Sequence, residues 1–208
     1  MSTDTSVRRV IFLDIDGVLQ PVSGQKRFRH DLDALREGLA ERFRDSLYRR
    51  LDKHDLGAVF HDWDQRAVAR VRSLCEEQNA RIVVSSDWRR RKSREDLKAL
   101  FRIHGLDDLV ADKTGDDAGA PHYRAGEVHH YLAEHAGIDR FVIIDDGYAH
   151  EFEQLYADQF VKTLDSLDET DTRRARQILA GGPVTRPNRD AHTRSVELRE
   201  RWRRARRT

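Results

Sequence analysis

Asp14 and Asp16 stand two residues apart, with Gly17 behind them, at the end of the apolar run that opens "VIFLDIDGVLQ" (10–20). Further on, Ser85 and Ser86 close "ARIVVSS" (80–86), and Asp145 and Asp146 close "DRFVIIDD" (139–146). Three apolar runs thus each end on carboxylates or hydroxyls. Four carboxylates gathered in one small volume cannot all ionise without a counter-charge, because neighbouring like charges push pKa values up. A hard divalent cation resolves that conflict, and Mg²⁺ prefers such oxygen ligands while keeping waters and a substrate phosphate.

The elements that must position these residues follow from the pattern. The runs at 8–14, 80–86 and 139–146 are apolar nearly throughout, which suits central strands of a parallel sheet covered on both faces. A further short strand is expected in "QFVKT" (159–163). Helical patterns lie between the runs, over 64–79, over 93–105 with Ser93 as a cap, and over 125–137 closing on Gly137. The alternation predicts a doubly wound parallel α/β sheet, in which ligands bind at the carboxyl ends of the strands.

Residues 22–60 break the alternation. They read as two charged helices with a break near Gly57, a small helical cap inserted after the first strand. The expected organisation is a catalytic core over 7–21 and 61–182, the insertion over 22–60 and a basic tail over 183–208.

The chain has 208 residues, 38% apolar and 36% charged, with a formal net charge of +1, which describes a charged globular domain rather than a disordered one. The lone Cys75 excludes an internal disulfide framework and a cysteine zinc cluster, and its helical context predicts a buried small residue. No apolar run approaches the roughly 18 residues of a membrane span, and the polar start "MSTDTSVRR" leads straight into the first strand. A cytoplasmic protein is expected, with no membrane partner. The ten histidines show no metal-ligand spacing backed by a third ligand.

"FLDIDGVL", "RIVVSS" and "FVIIDD" resemble, in order and spacing, the first, second and fourth motifs of the haloacid-dehalogenase-like (HAD) phosphohydrolases. Within that superfamily, the Ser-Ser-x-Trp-Arg pattern (Ser85, Ser86, Trp88, Arg89), with Arg124 and Glu127, is similar to the HAD domain of Swiss-army-knife RNA-repair proteins.

The resemblance implies an Mg²⁺-dependent phosphatase with a HAD-like Rossmannoid core. Asp14 would be the nucleophile, and Asp16 the general acid and then the general base. Ser85 would bind a phosphoryl oxygen. The metal would be held by the Asp14 carboxylate, the Asp16 carbonyl and the pair Asp145 and Asp146, with Asp146 preferred as the direct ligand. The third motif usually supplies a lysine; here Arg124 is better placed, with Lys113 as its competitor. Arginine can clamp phosphate in a bidentate manner. Gly17, Ser86, Trp88 and Arg89 complete the expected substrate-binding set.

The cationic stretch Arg89–Lys92 and the arginine-rich stretch after 185, with Trp202 in it, favour a polyanionic substrate. An RNA or DNA end, or a nucleotide, is the first expectation, and a small phosphorylated metabolite or a non-catalytic nucleic-acid-binding module the alternatives. No Gly-rich loop ending in Gly-Lys-Ser/Thr is present, so any repair role would involve protein partners.

Overall fold

The computed structural model describes residues 9–115 and 123–181; the basic tail over 183–208, with Trp202, lies outside the described residues. Its centre is a five-stranded, all-parallel sheet in the order β3-β2-β1-β4-β5. The strands are β1 (Arg9–Leu13), β2 (Arg81–Val84), β3 (Val110–Lys113), β4 (Arg140–Asp145) and β5 (Phe160–Lys162). The fold is the expected doubly wound α/β sheet.

Strand side chains alternate between two buried layers. Ile11, Leu13, Ile82, Val84, Val142 and Ile144 face one core, and Val10, Phe12, Val83, Phe141 and Ile143 face the other. The first layer is completed by α4 (Gln65–Gln78), α5 (Arg94–Arg102) and α8 (Glu169–Ala180), the second by α6 (Arg124–Glu134) and α7 (Ala149–Tyr156). Burial on both faces explains why these strands read as unbroken apolar runs, each large side chain contributing about 1.5–3 kcal/mol. Cys75 is buried in the first layer, where burial pushes its thiol up to about 12.

Three elements were not expected: β3, α7 and α8. β3 carries Asp112 and Lys113 and sits on the sheet edge, so its sequence lacks the apolar run of the central strands. α8 starts on an Asp168 capping box closed by Asp171.

The insertion also differs from the expected pair of helices. It forms α1 (Leu32–Phe43), α2 (Leu47–Arg50) and α3 (Lys53–Gly57), followed by a π-helical turn over Ala58–Asp62. The chain breaks at Arg44, in the left-handed region at φ 50°, and not at Gly57, which is helical. A Cβ on Gly57 would lie 2.6 Å from Leu32 Cδ2, so this glycine permits close helix packing. Leu39, Tyr48, Leu51, Leu56 and Val59 share the first core layer, and the Tyr48 hydroxyl donates to the Ala99 carbonyl at 2.8 Å. The insertion is therefore packed onto the body of the fold. No helix among the described residues is long and apolar enough to cross a membrane.

Candidate active site

Main-chain bonds carry the sheet pairing one residue beyond the strands, and this fixes the site. Asp14 N donates to the Ile144 carbonyl at 3.0 Å, Ser85 N to the Leu13 carbonyl at 2.9 Å, and Thr163 N to the Asp145 carbonyl at 3.1 Å. Asp14, Ser85 and Asp145 therefore stand side by side on the carboxyl rim. β1 and β4 are neighbours there, although the chain visits β2 and β3 between them, so the cluster lies at the switch point of the strand order.

After β1 the chain closes a tight turn, with Leu19 N and Gln20 N both donating to the Ile15 carbonyl at 2.9 Å and Gly17 N to the Gln20 carbonyl at 2.7 Å. The turn requires φ +68° at Gly17, a conformation glycine adopts readily. The Thr163 hydroxyl ties it down by donating to the Gly17 carbonyl at 2.7 Å.

Carboxylate oxygens of Asp14, Asp145 and Asp146 lie within 4.8 Å of one another. Asp14 is only 5% exposed; its Oδ1 accepts from Ile15 N at 2.7 Å, and the Ser86 hydroxyl nearby favours its charged form. Burial pushes the Asp14 carboxyl up to about 6, against the pull of Arg124. Burial, reinforced by the Asp14 charge, holds Asp145 well above the usual carboxylate range, although Gly147 N donates to its Oδ1 at 2.8 Å. Asp145 Oδ2 is buried with no hydrogen-bond partner among the described residues. Asp146 is half-buried and also raised, chiefly by burial. An all-oxygen donor set with one orphaned, buried oxygen suits a hard cation such as Mg²⁺.

Asp16 faces the opening, and its Oδ2 accepts from the Trp88 indole at 2.9 Å. Burial by its neighbours raises its carboxyl, while the Trp88 bond and the Arg27 charge oppose that.

Opposite the acids, the buried Arg124 opens α6. Its own burial disfavours charge, but Asp14, Asp145 and Asp87 outweigh this and raise its pKa. Arg124 Nη2 pairs with Asp87 at 3.3 Å and its guanidinium lies over the Tyr148 ring at 5.0 Å, whereas Nη1 is buried without a hydrogen-bond partner among the described residues. The Ser85 hydroxyl is buried in the same unpartnered state. Lys113 points elsewhere, its Nζ donating to the Arg89 carbonyl at 3.1 Å, so geometry favours Arg124 over Lys113 beside the acids.

Arg89 departs from its expected place on the substrate. It is fully buried, donates to the Ser86 carbonyl at 2.7 Å and forms an ion pair with Glu127 of α6. Both side chains are buried away from water, and each finds its counter-charge in the other. The pair ties the β2 loop to α6 and thereby holds the Ser85–Ser86 step against Arg124. Ser86 is likewise enclosed, between the Asp14 carboxyl and the Trp88 N–H at 3.3 Å. Asp87, Thr163 and Tyr148 belong to the site but were not anticipated. Asp87 stands inside the Ser-Ser-x-Trp-Arg stretch, and its sequence neighbours Ser86 and Trp88 give no sign that the fold sets it between Arg89 and Arg124.

The family model described as the HAD domain in Swiss Army Knife RNA repair proteins matches residues 10–171. No curated protein and no solved structure gives a match to the chain. The matched span runs from β1 into the first turn of α8 and carries the acids, the serines and Arg124 in the order the sheet requires, so the chain belongs to that family of HAD domains.

Proposed function

We propose that the protein is an Mg²⁺-dependent phosphomonoester hydrolase that works through an aspartyl-phosphate on Asp14. The observation that carries this reading is the pairing of the buried Asp14 carboxylate with two buried, unpartnered donors, Arg124 Nη1 and Ser85 Oγ. Leaving such groups unsatisfied costs about 1–3 kcal/mol each. The oxygens of a phosphoryl group, set before Asp14, would satisfy both.

Ile15 N fixes the Asp14 carboxylate. One of its oxygens bonds to phosphorus as the ester P–O bond breaks, and Asp16 gives its proton to the departing oxygen. Asp16 then takes a proton from water as the water oxygen bonds to phosphorus, which frees phosphate and restores Asp14. Arg124 and Ser85 hold the phosphoryl oxygens through both steps. Mg²⁺, held by Asp14, Asp145, Asp146 and the Asp16 carbonyl, would neutralise the crowded carboxylates and the phosphate charge.

We take the substrate to be a nucleic-acid end or a nucleotide, reached through the insertion acting as a compact cap that leaves the site open. The insertion presents Phe28, 62% exposed, between the exposed Lys26 and Arg29, and Arg27 lies close enough to act on Asp16. An exposed ring among cations suits a single strand, whose bases stack while its phosphates are neutralised. The family description, naming RNA repair proteins, agrees with this substrate class.

The test is phosphate release from 3′- and 5′-phosphorylated oligonucleotides, free nucleotides and sugar phosphates, with Mg²⁺ or EDTA, beside Asp14→Asn. Mg²⁺-dependent release from oligonucleotide ends, lost in the variant, is expected. Release confined to sugar phosphates would make this a metabolite phosphatase, and silence across the panel would leave a binding module.

A further inference from the structure

Asp16, the acid that faces the opening, is held by a neighbour the reaction does not consume. The Trp88 indole N–H donates to its Oδ2 at 2.9 Å. Trp88 is itself fixed on several sides. Its ring packs against the first core layer, its main-chain N–H donates to Ser86 Oγ at 3.3 Å, and Lys92 Nζ lies 5.3 Å from its ring centroid. Lys92 in turn pairs with Asp55 of α3 at 2.7 Å, so the insertion anchors the residue that anchors Asp16.

We propose that Trp88 is a positioning residue that decides which oxygen of Asp16 carries the catalytic proton, with the Asp55–Lys92 pair of the insertion holding Trp88 in place. An indole N–H only donates, so the oxygen it meets must accept. The proton of a protonated Asp16 therefore resides on Oδ1, the oxygen left for the substrate. In the first step the Oδ1 proton passes to the ester oxygen as that oxygen's bond to phosphorus breaks. In the second, Oδ1 recovers a proton from the water whose oxygen bonds to phosphorus. Without the indole the carboxyl rotates freely and presents its proton in the productive direction for only part of the time. This rests on the phosphatase reading above.

The test compares kcat/KM of the wild-type protein and Trp88→Phe over a series of phosphate monoesters, from nitrophenyl phosphate to simple alkyl phosphates. This parameter reports steps up to formation of the aspartyl-phosphate. Poor leaving groups need the proton and good ones do not, so the variant is expected to lose about 10–100-fold on alkyl esters and under about threefold on the nitrophenyl ester. In an Asp16→Asn background the same substitution should add no further loss. Equal losses along the whole series, or none, would overturn the proposal, since damage to folding lowers every substrate alike. Should Phe at position 88 not fold, Lys92→Met keeps both Trp88 and Asp16 in the sequence but removes the anchor of the Trp88 ring, and it should steepen the same leaving-group dependence to a smaller degree; an unchanged dependence there overturns the proposal. A wild-type protein that cleaves no ester of the series overturns the phosphatase reading itself, an outcome distinct from a working enzyme with an unaltered dependence.

Discussion

Gly17 and Asp146 are packed so closely that a Cβ on Gly17 would lie 2.3 Å from the Asp146 carboxyl carbon. The turn after β1 and the acid pair after β4 thus meet where the chain has no side chain, and Gly17 also sits at φ +68°.

Gly17→Ala should therefore displace Asp146 and strain the turn. Backbone strain of this type costs about 1–3 kcal/mol. We expect a modest fall in Tm and a much larger loss of Mg²⁺ affinity, read by titrating activity with the metal. Unaltered metal dependence in a folded variant would show that Asp146 stands outside the metal site.

Burial raises Asp14 to about 6 and Asp145 well above the usual range. Acids with folded pKa values above their unfolded ones bind more protons when folded, so metal-free stability falls as pH rises from about 4 through the folded pKa, and stays lower beyond it. For Asp14 alone the fall is up to about 3 kcal/mol. Asp145→Asn should flatten this fall in metal-free protein and raise its Tm at neutral pH. Mg²⁺ should stabilise the wild type more than the variant. Thermal unfolding in EDTA and in Mg²⁺ across pH checks both.

The Arg89–Glu127 pair is buried, and removing one partner strands the other charge. Arg89→Met or Glu127→Gln should each cost about 3–5 kcal/mol, and Arg89→Met with Glu127→Gln less than their sum. A double-mutant cycle by denaturant unfolding measures the coupling. Additive losses would mean that the pair does not bind the β2 loop to α6.

Lys26 and Arg29 flank Phe28 on the insertion and are exposed. If this face guides a strand to Asp14, Lys26→Ala with Arg29→Ala should raise KM for a phosphorylated oligonucleotide and reduce the slope of log KM against log salt by about two phosphate contacts. Turnover of nitrophenyl phosphate should not change. An equal effect on both substrates would remove the insertion from substrate recognition.

Much of the site was legible because parallel strands buried on both faces announce themselves as apolar runs, and their carboxyl ends must converge. Asp14, Ser85 and Asp145 follow from that rule. β3 was hidden because an edge strand with Asp112 and Lys113 lacks the pattern. Arg89 reads in the sequence as one more cation of a basic run, and only its burial against Glu127, 38 residues away, reveals its different role. The break at Arg44 was equally invisible, since a left-handed cap at a residue other than glycine carries no compositional signal. The Trp88–Asp16 bond joins residues 72 apart through a side-chain direction that no local pattern encodes.

The central claim is that Asp14 becomes covalently phosphorylated during turnover. The direct measurement is to quench the wild-type protein with borohydride while it is hydrolysing a phosphomonoester in Mg²⁺, then to map its peptides by mass spectrometry. An acyl phosphate is reduced to the alcohol, so position 14 should appear as homoserine, with no such conversion in EDTA or in Asp14→Asn. Phosphate release by an active protein with Asp14 repeatedly unmodified, or with the conversion at another carboxylate, would contradict the account.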